Sequence, residues 1–480
     1  MTNFSSGARV TLLSQWLRFA IQLLAFVLLA RLLTPDQFGV MAMVTVVVAF
    51  ATLLADSGLT LAGLQAASLT NQQSTNLFWL NATAGASAML VVALSGPILA
   101  LFYSDERVVP LAVALSVSLL INGLAVQFRV AINRQKRFGV LALQDVLSAG
   151  SGLVAGVLLA MHGAGYWALA GQVLAQSLTL LVLATAQASW WPGLPRRNAT
   201  MGRLVRFGAD SLALQIANLL SRSVDVMMIG RVQGPEALGY YSRATQLVAM
   251  SFQQLVTPLT RVILPRLASE ASTHAFNDTL ARMQRPIVYV LFLVVSLLAS
   301  LAQPLVILLL GPEWAPMSAL VQILCVGAFF QAFGYVYYWA LLAQAKTGML
   351  LMSELPGRIF MIGGVVVCAS SGVTAVAWVI SLGLMLIWVL STIVLAPRAR
   401  IDSKRLTLVG LAPGTLFACA FAATVVMQII WIGKIDVDSA PRALASMGIT
   451  WLLVAFSGLV FPHIRRDIRL LSLTVRRLRP

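Results

Sequence analysis

Residues 15–39 read QWLRFAIQLLAFVLLARLLTPDQFG. An apolar helix carries one arginine, Arg18, within it and runs into a short polar corner from Arg31 to Gly39. About 20 mostly apolar residues suffice to cross a bilayer, so the helix reads as a membrane span. The corner marks where the next helix begins. Thr34 suits an N-cap, Pro35 the first helical position, Asp36 the positive end of the helix dipole, and Gln37 completes a capping box.

The chain then repeats itself. Arg231, Pro235, Glu236 and Gly239 stand 200 positions after Arg31, Pro35, Asp36 and Gly39, and Gln215 stands 200 after Gln15. The helix before this second corner again holds an arginine, Arg222. A further match, at an offset of 209, aligns residues 131–139 with 340–348 and pairs Asp145 with Glu354. Two matches in the same order indicate an internal duplication.

Composition agrees with a membrane protein. Of 480 residues 59% are hydrophobic and 10% charged, against about 25% charged in soluble domains. The fold class expected is all-α, a polytopic membrane protein. Cutting at polar and Gly/Pro-marked breaks gives fourteen spans, near 10–32, 38–61, 77–102, 109–131, 140–161, 166–189, 205–230, 238–262, 286–310, 317–342, 350–371, 373–396, 406–432 and 443–462. Six spans per copy make the repeat parallel, its axis along the membrane normal. The expected organisation is a six-helix lobe at 1–198, a second at 199–398, and at 399–480 two appended helices with a basic tail.

The net charge of +17 would point to nucleic acid in a soluble protein. Here it reads as topology, because loop Lys and Arg orient membrane helices. With both termini in the cytoplasm, 25 of the 33 basic residues fall on inside segments and 6 on outside loops. No nucleic-acid partner is expected.

Charges within spans default to functional hypotheses. On the first helix Thr11, Ser14, Gln15, Arg18 and Gln22 share one face; on the seventh, Gln215, Asn218, Ser221, Arg222 and Asp225 form a similar stripe. Both stripes are expected to line one watery cavity, with Arg18, Gln22, Asn218, Arg222 and Asp225 as substrate-binding residues. A guanidinium fork suits phosphate, so the substrate expected is anionic and phosphate-bearing. Plainer readings stand beside these: Arg18 snorkelling to the headgroups, and Arg222 in a structural pair with Asp225 three residues on. Asp145 and Glu354 read either as sites for a coupling ion or as ordinary acids near helix starts.

Other chemistry is missing. There is no Walker A motif, no Gly-rich dinucleotide loop and no metal-ligand cluster, so neither metal nor cofactor is expected. The cysteines Cys325, Cys368 and Cys419 all lie in apolar runs. The outside loops leave no room for an extramembrane catalytic domain, which argues against a polymerase or ligase.

The runs ARLLTPDQFGVMAMV, LLADSGLTLAGLQ, TNLFWLNATAG, RFGADSLALQIAN, LGPEWAPMSALVQILC and LLAQAKTG together resemble the Wzx-type polysaccharide flippases. The likeness is to the colanic-acid-exporter group of the multidrug/oligosaccharidyl-lipid/polysaccharide exporter superfamily. It implies two six-helix lobes around a cavity that opens alternately to each side. It also implies transport of undecaprenyl-diphosphate-linked oligosaccharide repeat units across a bacterial inner membrane for surface-polysaccharide synthesis. A polysaccharide polymerase and a chain-length regulator would then be partners beside the membrane lipid. The alternative within the superfamily is a cation-coupled drug exporter, whose cavity would favour acidic and aromatic residues.

Overall fold

The computed structural model describes residues 2–56, 69–196, 223–270 and 272–410, and short pieces between 415 and 452. Among these residues the secondary structure is helical. In chain order the helices are α1 Thr2–Leu32, α2 Pro35–Asp56, α3 Asn71–Tyr103, α4 Val108–Arg134, α5 Phe138–Met161 and α6 Trp167–Ala186. They continue with α7 Val224–Ala268, α8 Thr273–Ser300, α9 Ala302–Leu310, α10 Met317–Ala343, α11 Thr347–Cys368 and α12 Val373–Leu390. A π-helical turn, Ser391–Leu395, follows α12 just ahead of Pro397.

Ten helices among the described residues are long and apolar enough to cross a membrane. The spans expected at 205–230, 406–432 and 443–462 lie largely outside the described residues. That at 238–262 falls within α7, which carries Arg231, Glu236, Arg243, Arg261 and Arg266 and is not one of the ten. The outward faces explain why the medium is lipid. On α3 the exposed positions Leu90, Val91, Leu94, Ile98 and Leu101 recur at helical spacing, while Asn81, Gly85, Ala88, Val92 and Gly96 of the opposite face are buried. Large apolar side chains outside and small or polar ones inside suit a helix solvated by hydrocarbon. The chain is a multi-pass membrane protein.

Backbone packing divides the chain into two units, Met1–Gly239 and Tyr240–Pro480. In the first, α3 packs on α4, α5 on α6, α4 on α6, and α1 on α5. The second shows the matching pattern, α8 on α10, α11 on α12 and α10 on α12. Close approach in the first unit depends on missing side chains. A Cβ on Gly85 would meet the Leu119 carbonyl oxygen at 2.8 Å, and one on Gly123 would meet that of Asn81 at 2.7 Å.

The duplication is legible in the backbone. Lys136 and Ala345, equivalent at the offset of 209, both sit in the left-handed region at φ 57° and 55°. The residues after them, Arg137 and Lys346, share φ/ψ of −81°/59° and −89°/52°. The hydrogen bond from Lys136 N to Asn133 O, 2.9 Å, has its twin from Ala345 N to Leu342 O, 3.0 Å. Even the side chains agree: Arg137 donates to the Gln187 carbonyl beyond α6, and Lys346 to the Ala399 carbonyl beyond α12.

Each unit also ties down the segment that leaves its last paired helix. Asn76 on α3 donates to the Arg196 carbonyl at 2.7 Å and accepts from the Arg196 amide at 3.1 Å. Asn277 on α8 donates to the Arg400 carbonyl at 3.0 Å and accepts from the Asp402 amide at 3.2 Å. An amide side chain carries both a donor and an acceptor, so it can pair along a peptide in this way.

Candidate functional site: two arginines on one aspartate

The corners are built as their residues suggest. α2 starts at Pro35, and the Gln37 side-chain carbonyl accepts from the Thr34 amide at 3.2 Å. In the second copy α7 breaks at Gly234, whose φ of 84° and ψ of 179° lie outside the range that side chains tolerate; glycine bears no Cβ and takes that conformation without strain. The two corners cross each other inside the first unit. A Cβ on Gly39 would stand 1.7 Å from the Pro235 carbonyl oxygen, and one on Gly239 would stand 1.9 Å from that of Pro35. The duplicated glycines therefore serve a reciprocal backbone contact.

Asp36 does more than complement a dipole. Arg107, in the turn between α3 and α4, grips it with both terminal nitrogens, at 2.6 and 3.0 Å. The same guanidinium holds Asp105 through Nε at 3.0 Å and Nη2 at 2.8 Å. Burial pushes the Asp105 carboxyl up, but the hydrogen bonds and charge of Arg107 outweigh this and hold it below the usual range. A carboxyl with a lowered value contributes stability above its unfolded titration range, and that contribution is lost as pH falls through the lowered value. The clamp thus persists at neutral pH. With two carboxylates on one fork, all three nitrogens of Arg107 are engaged, and this cluster is architecture.

The second charged cluster is different. Asp145 on α5 accepts from Arg129 Nη2 on α4 at 2.8 Å and faces Arg18 Nη1 on α1 at 3.9 Å. The three side chains are 43%, 28% and 29% exposed for Arg18, Arg129 and Asp145. Arg129 lies five residues before the end of α4 and Asp145 seven after the start of α5, which sets them about 7–11 Å from the connecting turn along the helices. Here two cations meet one anion, so a net positive charge remains among apolar helices.

Two of the residues singled out from the sequence, Arg18 and Asp145, are therefore brought together, although they were read for different tasks. Gln22, one turn beyond Arg18, is exposed. Asp225 lies in the first turn of α7, where its carboxylate accepts from the Val226 amide at 2.9 Å. Asn218 and Arg222 lie outside the described residues. Glu354, the duplicate of Asp145, binds Arg358 one turn along its own helix at 2.6 and 3.1 Å. The copies diverge here for a plain reason: at the same offset Arg129 corresponds to Tyr338, and Arg358 to Ala149.

Arg129, close to a helix end, reads in the sequence as one of the basic residues that set topology. The sequence does carry a signal for it. Arg129 and Asp145 stand at nearly equal distances on either side of the tight turn at 135–137, so they face each other once the two helices form a hairpin.

The family model described as "Polysaccharide biosynthesis protein" matches residues 28–319, more than half of the chain. The chain belongs to that polysaccharide biosynthesis family. Among its relatives, the teichuronic acid biosynthesis protein TuaB of Bacillus subtilis (strain 168) is 26% identical over 324 residues, covering 67% of each chain. The lipopolysaccharide biosynthesis protein WzxC of Escherichia coli (strain K12) is 23% identical over 395 residues, covering 81% of this chain and 79% of that one. Of solved structures, the lipid II flippase MurJ in its inward closed conformation superposes with a TM-score of 0.73 at 11% identity, covering 94% of this chain and 98% of that one. An inward-facing multidrug resistance transporter of the MATE family reaches 0.60 at 13% identity, covering 81% and 95%. At such identities these likenesses establish the fold of the family member described here.

Proposed function

We propose that this protein is a flippase for undecaprenyl-diphosphate-linked oligosaccharide repeat units, acting by alternating access across a bacterial inner membrane in surface-polysaccharide biosynthesis. The observation that carries the reading is the net cationic cluster of Arg18, Arg129 and Asp145, set on membrane helices of a polysaccharide biosynthesis family member. A diphosphate cannot cross hydrocarbon unaided, since a bare charge in a low-dielectric medium carries a large solvation penalty. Guanidinium groups aimed into a protected path replace the lost water with bidentate hydrogen bonds. The sugar headgroup and diphosphate follow this cationic path while the polyprenyl tail stays in lipid, and alternating access then exposes the headgroup on the other side.

In this reading the termini are cytoplasmic, and the protein performs transport rather than bond-making. The polymerase that consumes the repeat units and its chain-length regulator are the natural partners. The names of the relatives, which concern teichuronic acid, lipopolysaccharide and succinoglycan, favour this reading over a drug exporter. Arg18, Gln22, Asn218, Arg222 and Asp225 are assigned to the substrate path, and Asp145 and Glu354 to its charge balance or to a coupling ion. The Arg222→Ala variant is expected to abolish polymer export while its level in the membrane is unchanged. Cell-surface polymer, measured beside an immunoblot of the membrane fraction, checks this, and normal export would remove Arg222 from the path.

A further inference from the structure

We propose that Asp145 is a resident anion seated where a substrate phosphate binds, and that it is exchanged for that phosphate on Arg129. The inference rests on the flippase reading and adds to it a residue, Arg129, and an order of events. Carboxylate and phosphate ask the same of a guanidinium, a planar fork with parallel N–H···O bonds. Arg129 contributes a single nitrogen to Asp145, at 2.8 Å, and Arg18 stands at 3.9 Å, beyond hydrogen-bond reach. Both forks therefore retain most of their donors. Arg107 makes the contrast, with Nε and both terminal nitrogens engaged on two carboxylates.

The hold on Asp145 is also weak enough to break. All three side chains are between about a quarter and a half exposed, and ion pairs at such exposure contribute on the order of 1 kcal/mol or less. A diphosphate brings more charge and more acceptor oxygens than one carboxylate, so it displaces Asp145 from Arg129. When the phosphate leaves, Asp145 returns, which keeps the arginines oriented and limits how tightly the headgroup is held. A ligand shifts an equilibrium only by its differential affinity for the two states, and here the competing state is the internal ion pair. The duplicate site lacks this device. Glu354 is held by two bonds to Arg358 on its own helix, and no arginine stands at the position equivalent to Arg129.

The test uses the full-length protein in detergent with farnesyl diphosphate as the probe, followed by calorimetry. Asp145→Asn is expected to bind about three- to fivefold more tightly than the unaltered protein, the gain that follows from removing a competing pair of this strength. Asp145→Ser should show the same gain without relying on the asparagine side chain, and Asp145→Glu should stay within about twofold of the unaltered value. The gain should vanish when Arg129→Ala is combined with Asp145→Asn. Equal or weaker binding by Asp145→Asn and Asp145→Ser, both still folded by thermal melting, would overturn the exchange. Inorganic pyrophosphate and phosphatidylglycerol nanodiscs run as parallel arms. Tightening with pyrophosphate supports phosphate exchange, whereas tightening with phosphatidylglycerol but not farnesyl diphosphate overturns the polyprenyl assignment. Transfer between leaflets is not the readout, so a protein that fails to transport yet shows the tightening contradicts the flippase reading alone.

Discussion

Gly39→Ala is expected to leave almost no folded protein in the membrane. An added Cβ would fall 1.7 Å from the Pro235 carbonyl oxygen, with the carbon of that carbonyl at 2.4 Å. These are backbone atoms, so no side chain can swing aside; the crossing has to open. Overpacking of this kind costs about 1–3 kcal/mol where neighbours yield and more where they do not. Gly239→Ala should behave alike, because its Cβ would fall 1.9 Å from the Pro35 oxygen. The double variant should cost less than the sum, since either change alone already opens the shared crossing. Gly139 and Gly348 make internal controls: nothing lies within 4 Å of a Cβ at either position. Alanine there should be neutral or slightly stabilising. Membrane-fraction levels and melting in detergent measure all five variants.

Arg129→Ala should reduce polymer export at least tenfold while the protein still inserts and accumulates. The change removes the one short bond to Asp145 and turns a cluster of two cations and one anion into a neutral pair. Where an arginine binds phosphate by its fork, lysine keeps the charge and loses the geometry, so Arg129→Lys should recover export only in part. Arg107→Ala should separate the two clusters. It breaks the clamp on Asp36 and Asp105 and so should lower stability, with export falling only in proportion to the protein lost. Surface polymer normalised to membrane protein distinguishes the two patterns, and full export from Arg129→Ala would remove the cluster from transport.

Much of this architecture can be read from the residues because membrane helices are written in simple terms. Twenty apolar residues between polar breaks make a span whatever their neighbours, and the duplicated corner announces itself through Pro35, Gly39 and their copies. The offset of 209 found in the letters reappears in the dihedrals of Lys136 and Ala345. Contacts between distant segments are another matter. Nothing in the order of residues places Gly39 against Pro235, or Arg107 beside Asp36, because both depend on how helices pack. The charge cluster was half legible. Arg18 and Asp145 stood out as charges within or beside spans, but Arg129 passed as a topological flank, one of many basic residues near a helix end. Only the α4–α5 hairpin, with its turn at 135–137, turns that flank inward onto Asp145. Helical stripes likewise name candidates without saying which face they meet, and Gln22 and Asp225 are cases of this.

Transport of a lipid-linked saccharide can be followed in a reconstituted system. Full-length protein in sealed vesicles would be supplied with undecaprenyl-diphosphate-linked oligosaccharide on both leaflets, and an impermeant reagent would score how much becomes accessible outside. Accessible substrate should rise from the outer-leaflet share towards the whole pool with the unaltered protein and remain near the outer-leaflet share with Arg129→Ala. Transfer no faster than in protein-free vesicles, from protein shown to be folded, would contradict the flippase assignment.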